Sequence, residues 1–375
     1  MITIHEIDTS SRTQVRRFVR FPFQLYRQDP IWVPPLQVDA EAQLDRQKFA
    51  FYEHSDADFF VAVMDGQDVG RIAVIENRRY NQFQGTRQAQ FYFFECINDQ
   101  NVANALFERS FEWAQRRGLD TVVGPRGMSA VDGFGMLIDG FDQPQMMAMM
   151  NYNPPYYVAM MDTLGFMKKV DYLSSFGRIE QIQFPERIHR IAERVQQRGT
   201  LRVQRFSSIR ELKAWSGRIG QAYNQAYIHN WEYYPLTDRE ITFVVKSLLT
   251  VADPALFKII VHGEEVVGFV FAFADIARAI QRSRGRLLPF GLLDMLLELR
   301  RTKWVALNVV GILPEYQGRG GNALLYSEIE RTVRQRKFEY AAIYQIAETA
   351  VNMRRDLEKF GGLAYKNHRV YTRKI

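Results

Sequence analysis

The sequence predicts an α/β protein made of two successive domains of the same kind. Two segments, FFVAVMDGQDVGRIAVIEN at 59–77 and FKIIVHGEEVVGFVFAFAD at 257–275, each read as a pair of strands turning at a glycine. A strand and a helix precede each pair: ITIHEID with SRTQVRRFVRFPFQLYR in the first half, LRVQRF with SSIRELKAWSGRIGQAYNQAY in the second. The third observation is spacing. Gly66 and Gly263, Gly70 and Gly268, and Gly165 and Gly361 lie 197, 198 and 196 residues apart, a period near half of the 375-residue chain and the mark of an internal duplication.

After the first hairpin comes the aromatic strand FYFFECI (91–97), then the short junction NDQ and the helix NVANALFERSFEWAQRR. Asp99 in that junction is placed to cap the helix. The glycine-rich stretch 124–145 follows, then a short helix in NPPYYVAMMDTLGF that closes on Gly165. The charged segment PERIHRIAERVQQRGT, ending at Gly199, reads as a linking helix. These marks divide the chain into 1–184, a linker helix at 185–199, and 200–375. In the second half the strand WVALNVVGI (304–312) is offset by about 213 from FYFFECI, because the leucine-rich insertion 276–303 comes before it, whereas the first half carries its extra residues later. That insertion, too short to span a bilayer, is expected to lie on a membrane surface, to close over a substrate or to bury against the other half; burial is the default. The strand YAAIYQIAE and the helix VNMRRDLEKFGG complete the copy.

Composition narrows the function. The chain is 47% hydrophobic and 24% charged, as globular proteins are. A formal charge of +7 suits an anionic partner such as a phosphorylated cofactor, nucleic acid or lipid. A single cysteine, Cys96, excludes an internal disulfide framework and fits a reducing compartment; in its aromatic strand it is expected to pack. Six scattered histidines without HExxH spacing give no metal site, and there is no GxSxG elbow. No apolar run reaches about 18 residues and no export signal stands at the start, so the cytoplasm is the expected location.

The chemistry concentrates in PEYQGRGGNALLY (314–326), between a buried strand and an amphipathic helix carrying Leu325, Ile329 and Val333 on one face. A strand, a glycine loop and a helix aim the free N–H groups of the helix's first turn at the loop, where phosphate is the natural occupant. Gly318, Gly320 and Gly321 let a pyrophosphate approach, and Arg319 adds a cation. The letters GRGGNA also satisfy a dinucleotide-fold pattern, but only about 55 residues follow, too few for that fold's later units. A Walker ending GK[ST] is absent. A loop that merely permits a tight turn stays open on these residues alone.

PEYQGRGGNALL at this junction, after a VVGF hairpin and before one strand, one helix and a final strand, resembles the acyl-CoA motif of the GNAT (GCN5-related N-acetyltransferase) superfamily. The whole arrangement is similar to a bacterial group of tandem GNAT-like proteins, in FVRFPFQLYR, NWEYYPLT and GPRGMS. The resemblance implies two GNAT-like domains, each a mixed, mostly antiparallel twisted sheet flanked by helices, the second binding acetyl-CoA or another acyl-CoA as co-substrate. Gln317, Gly320 and Asn322 match the pyrophosphate pattern; Asn322 stands where the family has Gly or Ala. The resemblance also implies that backbone amides at Val310, Gly311 and Ile312 hold the acyl carbonyl. The expected reaction is N-acyl transfer to a small-molecule or peptide amine, in a chain able to form a homodimer.

Glu348, at the end of YAAIYQIAE, is the acidic residue nearest the expected cleft and the candidate base; otherwise it caps the following helix. Tyr344 and Tyr326 are candidate acids. The family's last-helix asparagine and tyrosine are replaced by Ala350 and Leu357, with Asn352 two residues past the first. Trp231, Tyr233 and Tyr234 are candidates for an acceptor pocket or for an ordinary hydrophobic cluster. A Fem-like aminoacyltransferase that takes tRNA, or an acyl-CoA-binding protein without turnover, remain as alternatives; outside the first, nucleic acid is not an expected partner.

Overall fold

A computed structural model describes residues 1–146, 150–182, 184–249, 252–359 and 361–375, except the side chains of 352, 356 and 359. The two hairpins form as expected: β2 (Asp56–Met64) with β3 (Gln67–Glu76), and β9 (Phe257–His262) with β10 (Glu265–Ala274). Their turns use positive φ at Gly66 (77°) and Gly263 (59°), which glycine adopts without a Cβ clash. Both hairpins also carry a register shift just past the turn: Ala62 faces Gly70 and Val63 faces Asp68, while Ile260 faces Gly268 and Val261 faces Val266. Val69 and Val267 are therefore the bulged residues, each followed by a glycine. A Cβ on Gly70 would lie 2.9 Å from Leu106 Cδ1, and one on Gly268 2.9 Å from Ile260 Cδ1. The recurring glycines thus record the same bulge in the same crowded position.

The remaining strands are β1 (Ile2–Glu6), β4 (Gln88–Cys96), β5 (Thr121–Gly124), β6 (Met136–Asp139), β7 (Met167–Arg178), β8 (Arg202–Gln204), β11 (Trp304–Ile312), β12 (Tyr340–Ala347) and β13 (Leu363–Lys374). All lie in one sheet of order β1-β2-β3-β4-β5-β13-β7-β12-β11-β10-β9-β8, with β6 paired to β13. Among the described residues, only β4 with β5 and β11 with β12 run parallel. The order reads alike from both ends, with each strand opposite its duplicate, so the copies are related by a pseudo-twofold axis between β13 and β7. Across that axis the last strands are exchanged. The chain's final strand lies against β5, Tyr371 opposite Gly124, while β7 lies against β12, Gly177 opposite Ala341.

Helices cover the sheet where their apolar stripes dictate. Gln100–Arg116 buries Val102, Leu106, Phe107 and Trp113 against the first half's strands. Asp99 caps it, its Oδ1 accepting from the Asn101 N–H at 2.8 Å. Cys96 is fully buried there, and burial raises its thiol pKa. In the second half Gly321–Gln335 buries Leu324, Leu325, Ile329 and Val333, and the linker helix Glu186–Arg198 packs against it.

The leucine-rich insertion forms two helices, Ala277–Ser283 and Gly291–Arg301. Only one face is buried: Ile276, Ile280 and Met295 pack on Val33, and Gln281 Nε2 donates to the carbonyls of Pro30 and Trp32 at 3.1 Å each. The expected burial is therefore half met. Leu288, Phe290, Leu292, Leu293, Leu296 and Leu297 remain exposed, because among the described residues no element covers that side of the helix.

Candidate active site

β11 and β12 pair only from Trp304 opposite Tyr340 to Leu307 opposite Ile343. Beyond that point β12 continues along β7, while β11 stays with β10 and bulges at Asn308, Val309 lying opposite Phe271 and Leu307 opposite Ala272. The two strands part, and residues 308–312 line a cleft of about 1750 Å³. At its end the chain makes a one-turn helix, Pro314–Tyr316, then a loop with Gly318 at φ 73° and Gly320 at φ 87°. Gly320 is the N-cap of Gly321–Gln335 and supplies no side-chain cap, so no side chain at that position competes for the first-turn amides.

Of the residues named from sequence for the cofactor, Val310, Gly311, Ile312, Gln317, Gly318, Gly320, Gly321 and Asn322 all line this cleft. Two glycines have a further reason. A Cβ on Gly320 would come 2.7 Å from Val195 Cγ2 and 3.0 Å from Ile191 Cγ2 of the linker helix, and one on Gly311 2.4 Å from Phe269 Cζ. Arg319 is a correction: it is exposed, its guanidinium lies 5.2 Å from the Tyr316 ring centroid, and it does not line the cleft. The cations on the described lining are Arg126, Arg187 of the linker helix and Arg334.

Trp231, Tyr233 and Tyr234 line the same space. Tyr233 donates to Asn224 Oδ1 at 2.5 Å, and Tyr227, a turn beyond Tyr223 on Ser216–Tyr227, donates to the Val310 carbonyl at 2.8 Å. Burial raises both phenols' pKa values, so both stay protonated and act as hydrogen-bond donors. Glu232 ties the halves together: one oxygen takes Arg126 Nη1 at 2.9 Å and the other Lys169 Nζ at 2.5 Å, both cations coming from the first half. The Arg126 guanidinium also sits 4.4 Å from the Tyr80 ring centroid.

The sequence-derived base does not reach the cleft. Ala347, Thr349 and Ala350 line it, but Glu348 faces β7, accepting from Lys168 Nζ at 2.7 Å and from the Asp171 N–H at 3.1 Å. The Lys168 hydrogen bond, helped by the Asp171 amide, holds its carboxyl below the ordinary range. Nor does Glu348 cap the following helix through these bonds. Tyr344 lines the cleft, but its hydroxyl is buried beside that of Tyr365, and burial drives its pKa well above 10, which makes it a poor acid. Ala350 and Leu357 do line the cleft; the Asn352 side chain lies outside the described residues. Both carboxylates on the described lining, Glu232 and Glu330, are ion-paired, Glu330 with His189 and Arg334. His229 is the one histidine on that lining.

Sequence reasoning passed over Arg126, Arg187, Tyr227 and Asn308. Tyr223 and Tyr227, four apart on a helix, were a readable signal for a shared face. The others depend on contacts between distant segments.

This geometry defines the tandem GCN5-related N-acetyltransferase fold. A tandem GNAT protein from the clavulanic acid biosynthesis pathway superposes over 100% of this chain and 98% of its own, with TM-score 0.57 and 11% identity. A GCN5-related N-acetyltransferase from Sphaerobacter thermophilus does so over 100% and 95%, with TM-score 0.52 and 13% identity. In sequence the chain is 28% identical over 376 residues to Protein YghO of Escherichia coli (strain K12), covering 97% of this chain and 94% of that one. It is 27% identical over 376 residues to the bacterial ceramide synthase of Caulobacter vibrioides, covering 98% and 97%. No family model matches the sequence.

Proposed function

We propose that this chain is an acyl-CoA-dependent N-acyltransferase with one thioester site, in its second half. The carrying observation is that the parted edge of β11 and the uncapped glycine loop open into one cleft. Pyrophosphate fits the loop, and the thioester carbonyl fits against the backbone at Val310–Ile312. The amine nitrogen attacks that carbonyl carbon, the C–N bond forms, the C–S bond breaks, and the amine's proton leaves to satisfy the thiolate. Because both lining carboxylates are ion-paired, His229 is our candidate for accepting that proton. Asp99 already occupies a first-turn amide, that of Asn101, at the equivalent place in the first half, which supports a single site per chain.

We further propose a fatty acyl donor and a long-chain amine acceptor. A ceramide is the amide of those two, and a relative bearing that name aligns along nearly the whole chain. The size of the cleft and its lining by Phe134, Phe271, Leu307, Met353 and Leu357 support chains longer than acetyl. The cytoplasm, where CoA thioesters form, is the proposed location. The test is a thermal-shift series with acetyl-, octanoyl- and palmitoyl-CoA, followed by thiol release against a long-chain amino alcohol and small amines. Palmitoyl-CoA is expected to shift the melting temperature most and to release thiol only with the long-chain amine. If no thioester shifts the melting temperature, the reading fails. Ala350 and Leu357 favour one other reading, binding without turnover, which would show as a shift with no release for any amine.

A further inference from the structure

We infer that the insertion 276–303 is a membrane-docking surface for bilayers with anionic headgroups. The helix Gly291–Arg301 buries Gly291, Met295 and Glu298 and turns Leu292, Leu293, Leu296 and Leu297 outward. At 100° per residue these four leucines span an arc of about 140°. Leu288 and Phe290, on the loop before the helix, are 78% and 74% exposed. Six large apolar side chains standing in solvent along one short segment exceed the scatter normal for a protein surface. At roughly 16 Å, the helix is far too short to cross a hydrocarbon core of about 30 Å, so its geometry is that of an element lying in the interface.

Charge selects the occupant. Arg284 and Arg286 stand before the apolar face and Arg300 and Arg301 after it; all four are exposed, and no ion pair engages them among the described residues. The two carboxylates of residues 282–301, Asp294 and Glu298, are both held by Arg282, at 2.8 and 2.5 Å. Two copies meeting face to face through this surface would therefore set arginine against arginine with no carboxylate of the segment free to answer. An anionic headgroup layer answers all four, while the leucines enter the acyl boundary beneath it. Gln281 and the Val33 contact anchor the insertion to the first half, so the surface is a fixed part of the fold. None of residues 276–303 lines the catalytic cleft, and the inference does not depend on the acceptor.

The test is flotation of the full chain with vesicles of phosphatidylcholine alone or with roughly one third phosphatidylglycerol. Binding is expected on the anionic vesicles, weakened by salt, and much weaker on the neutral ones. The double variant L293E/L296E should lower the partition coefficient about a hundredfold. R284Q/R286Q should lower it about 25-fold, near fivefold per arginine. In F290W the tryptophan emission should shift to the blue when anionic vesicles are added. Circular dichroism melts check that these variants stay folded, as their exposure predicts. The inference is overturned if the wild-type chain binds neither vesicle, or if binding survives L293E/L296E in a folded protein. It is equally overturned if the wild-type is a dimer that L293E/L296E dissociates without any vesicle binding, since a second copy would then cover the face.

Discussion

Gly320 answers two demands at one backbone position, a left-handed φ and the close passage of the linker helix, so its substitution confounds stability with binding. Gly320→Ala should destabilise the fold by about 1–3 kcal/mol, seen in urea denaturation, before any ligand is added. Gly318 shares the positive φ, yet a Cβ there meets nothing within 4 Å. Gly318→Asp should therefore fold, as aspartate tolerates the left-handed region, and lose the thioester-induced thermal shift through its negative charge. A full shift in folded G318D would put the phosphates elsewhere. Glu348→Gln should leave the pH profile of transfer unchanged and cost less than about 1 kcal/mol, since its partner Lys168 is exposed; a changed profile would restore Glu348 to the chemistry. His368 makes one distinct contribution to the pH dependence of the fold. It is fully buried, its Nε2 3.0 Å from the Asn151 carbonyl, and burial lowers its pKa to about 4. Between that value and the ordinary 6.5 the unfolded chain takes up a proton that the folded one refuses. The His368 contribution to stability should thus fall, by up to about 3 kcal/mol, as pH drops from about 6.5 to about 4, against an opposite contribution from the buried Asp132 carboxyl, whose pKa burial raises to about 6. Urea titrations of the wild type and His368→Phe at neutral and mildly acidic pH isolate the histidine's contribution as the difference between the two slopes.

At the scale of elements, what the sequence made legible was whatever a single stretch of chain decides. The hairpins, their bulge glycines, the Asp99 cap and the strand, glycine loop and helix around Gly320 all follow from neighbours in sequence, and all are present. What escaped depends on which distant segment arrives beside it. Glu348 is the acidic residue nearest the expected cleft along its own strand, but the strand beside it is β7 from the other half, which brings Lys168. Arg319 adjoins the loop in sequence, but the arginines on the described cleft lining, Arg126, Arg187 and Arg334, come from elsewhere in the chain. The clasp of Arg126 and Lys169 on Glu232 was equally beyond local reading. Its side chains are only 12%, 22% and 13% exposed, respectively, so Glu232→Gln leaves two cations poorly answered. A loss of about 2–4 kcal/mol is expected in chemical denaturation, more than for any surface pair. Loss within the range of a surface pair would mean that water screens the clasp.

For the whole molecule, the exchanged strands make each half's sheet depend on the other. β13 contributes Lys366, His368, Val370 and Tyr371 to the interior, each no more than 3% exposed. Removing residues 363–375 should expose the edges of β5 and β7 together and yield an aggregating chain, whereas the intact protein should melt in one transition by both calorimetry and circular dichroism. Two separated transitions would show that the halves fold independently. The same arrangement bears on how the protein is born. Tyr371 pairs across from Gly124, 247 residues earlier, so the first half emerges from the ribosome with the seat of its central strand empty. That seat stays empty until residues 363–374 have cleared the exit tunnel. The nascent chain carries an open β5 edge until then, and maturation of the first half waits on synthesis of the far end of the second.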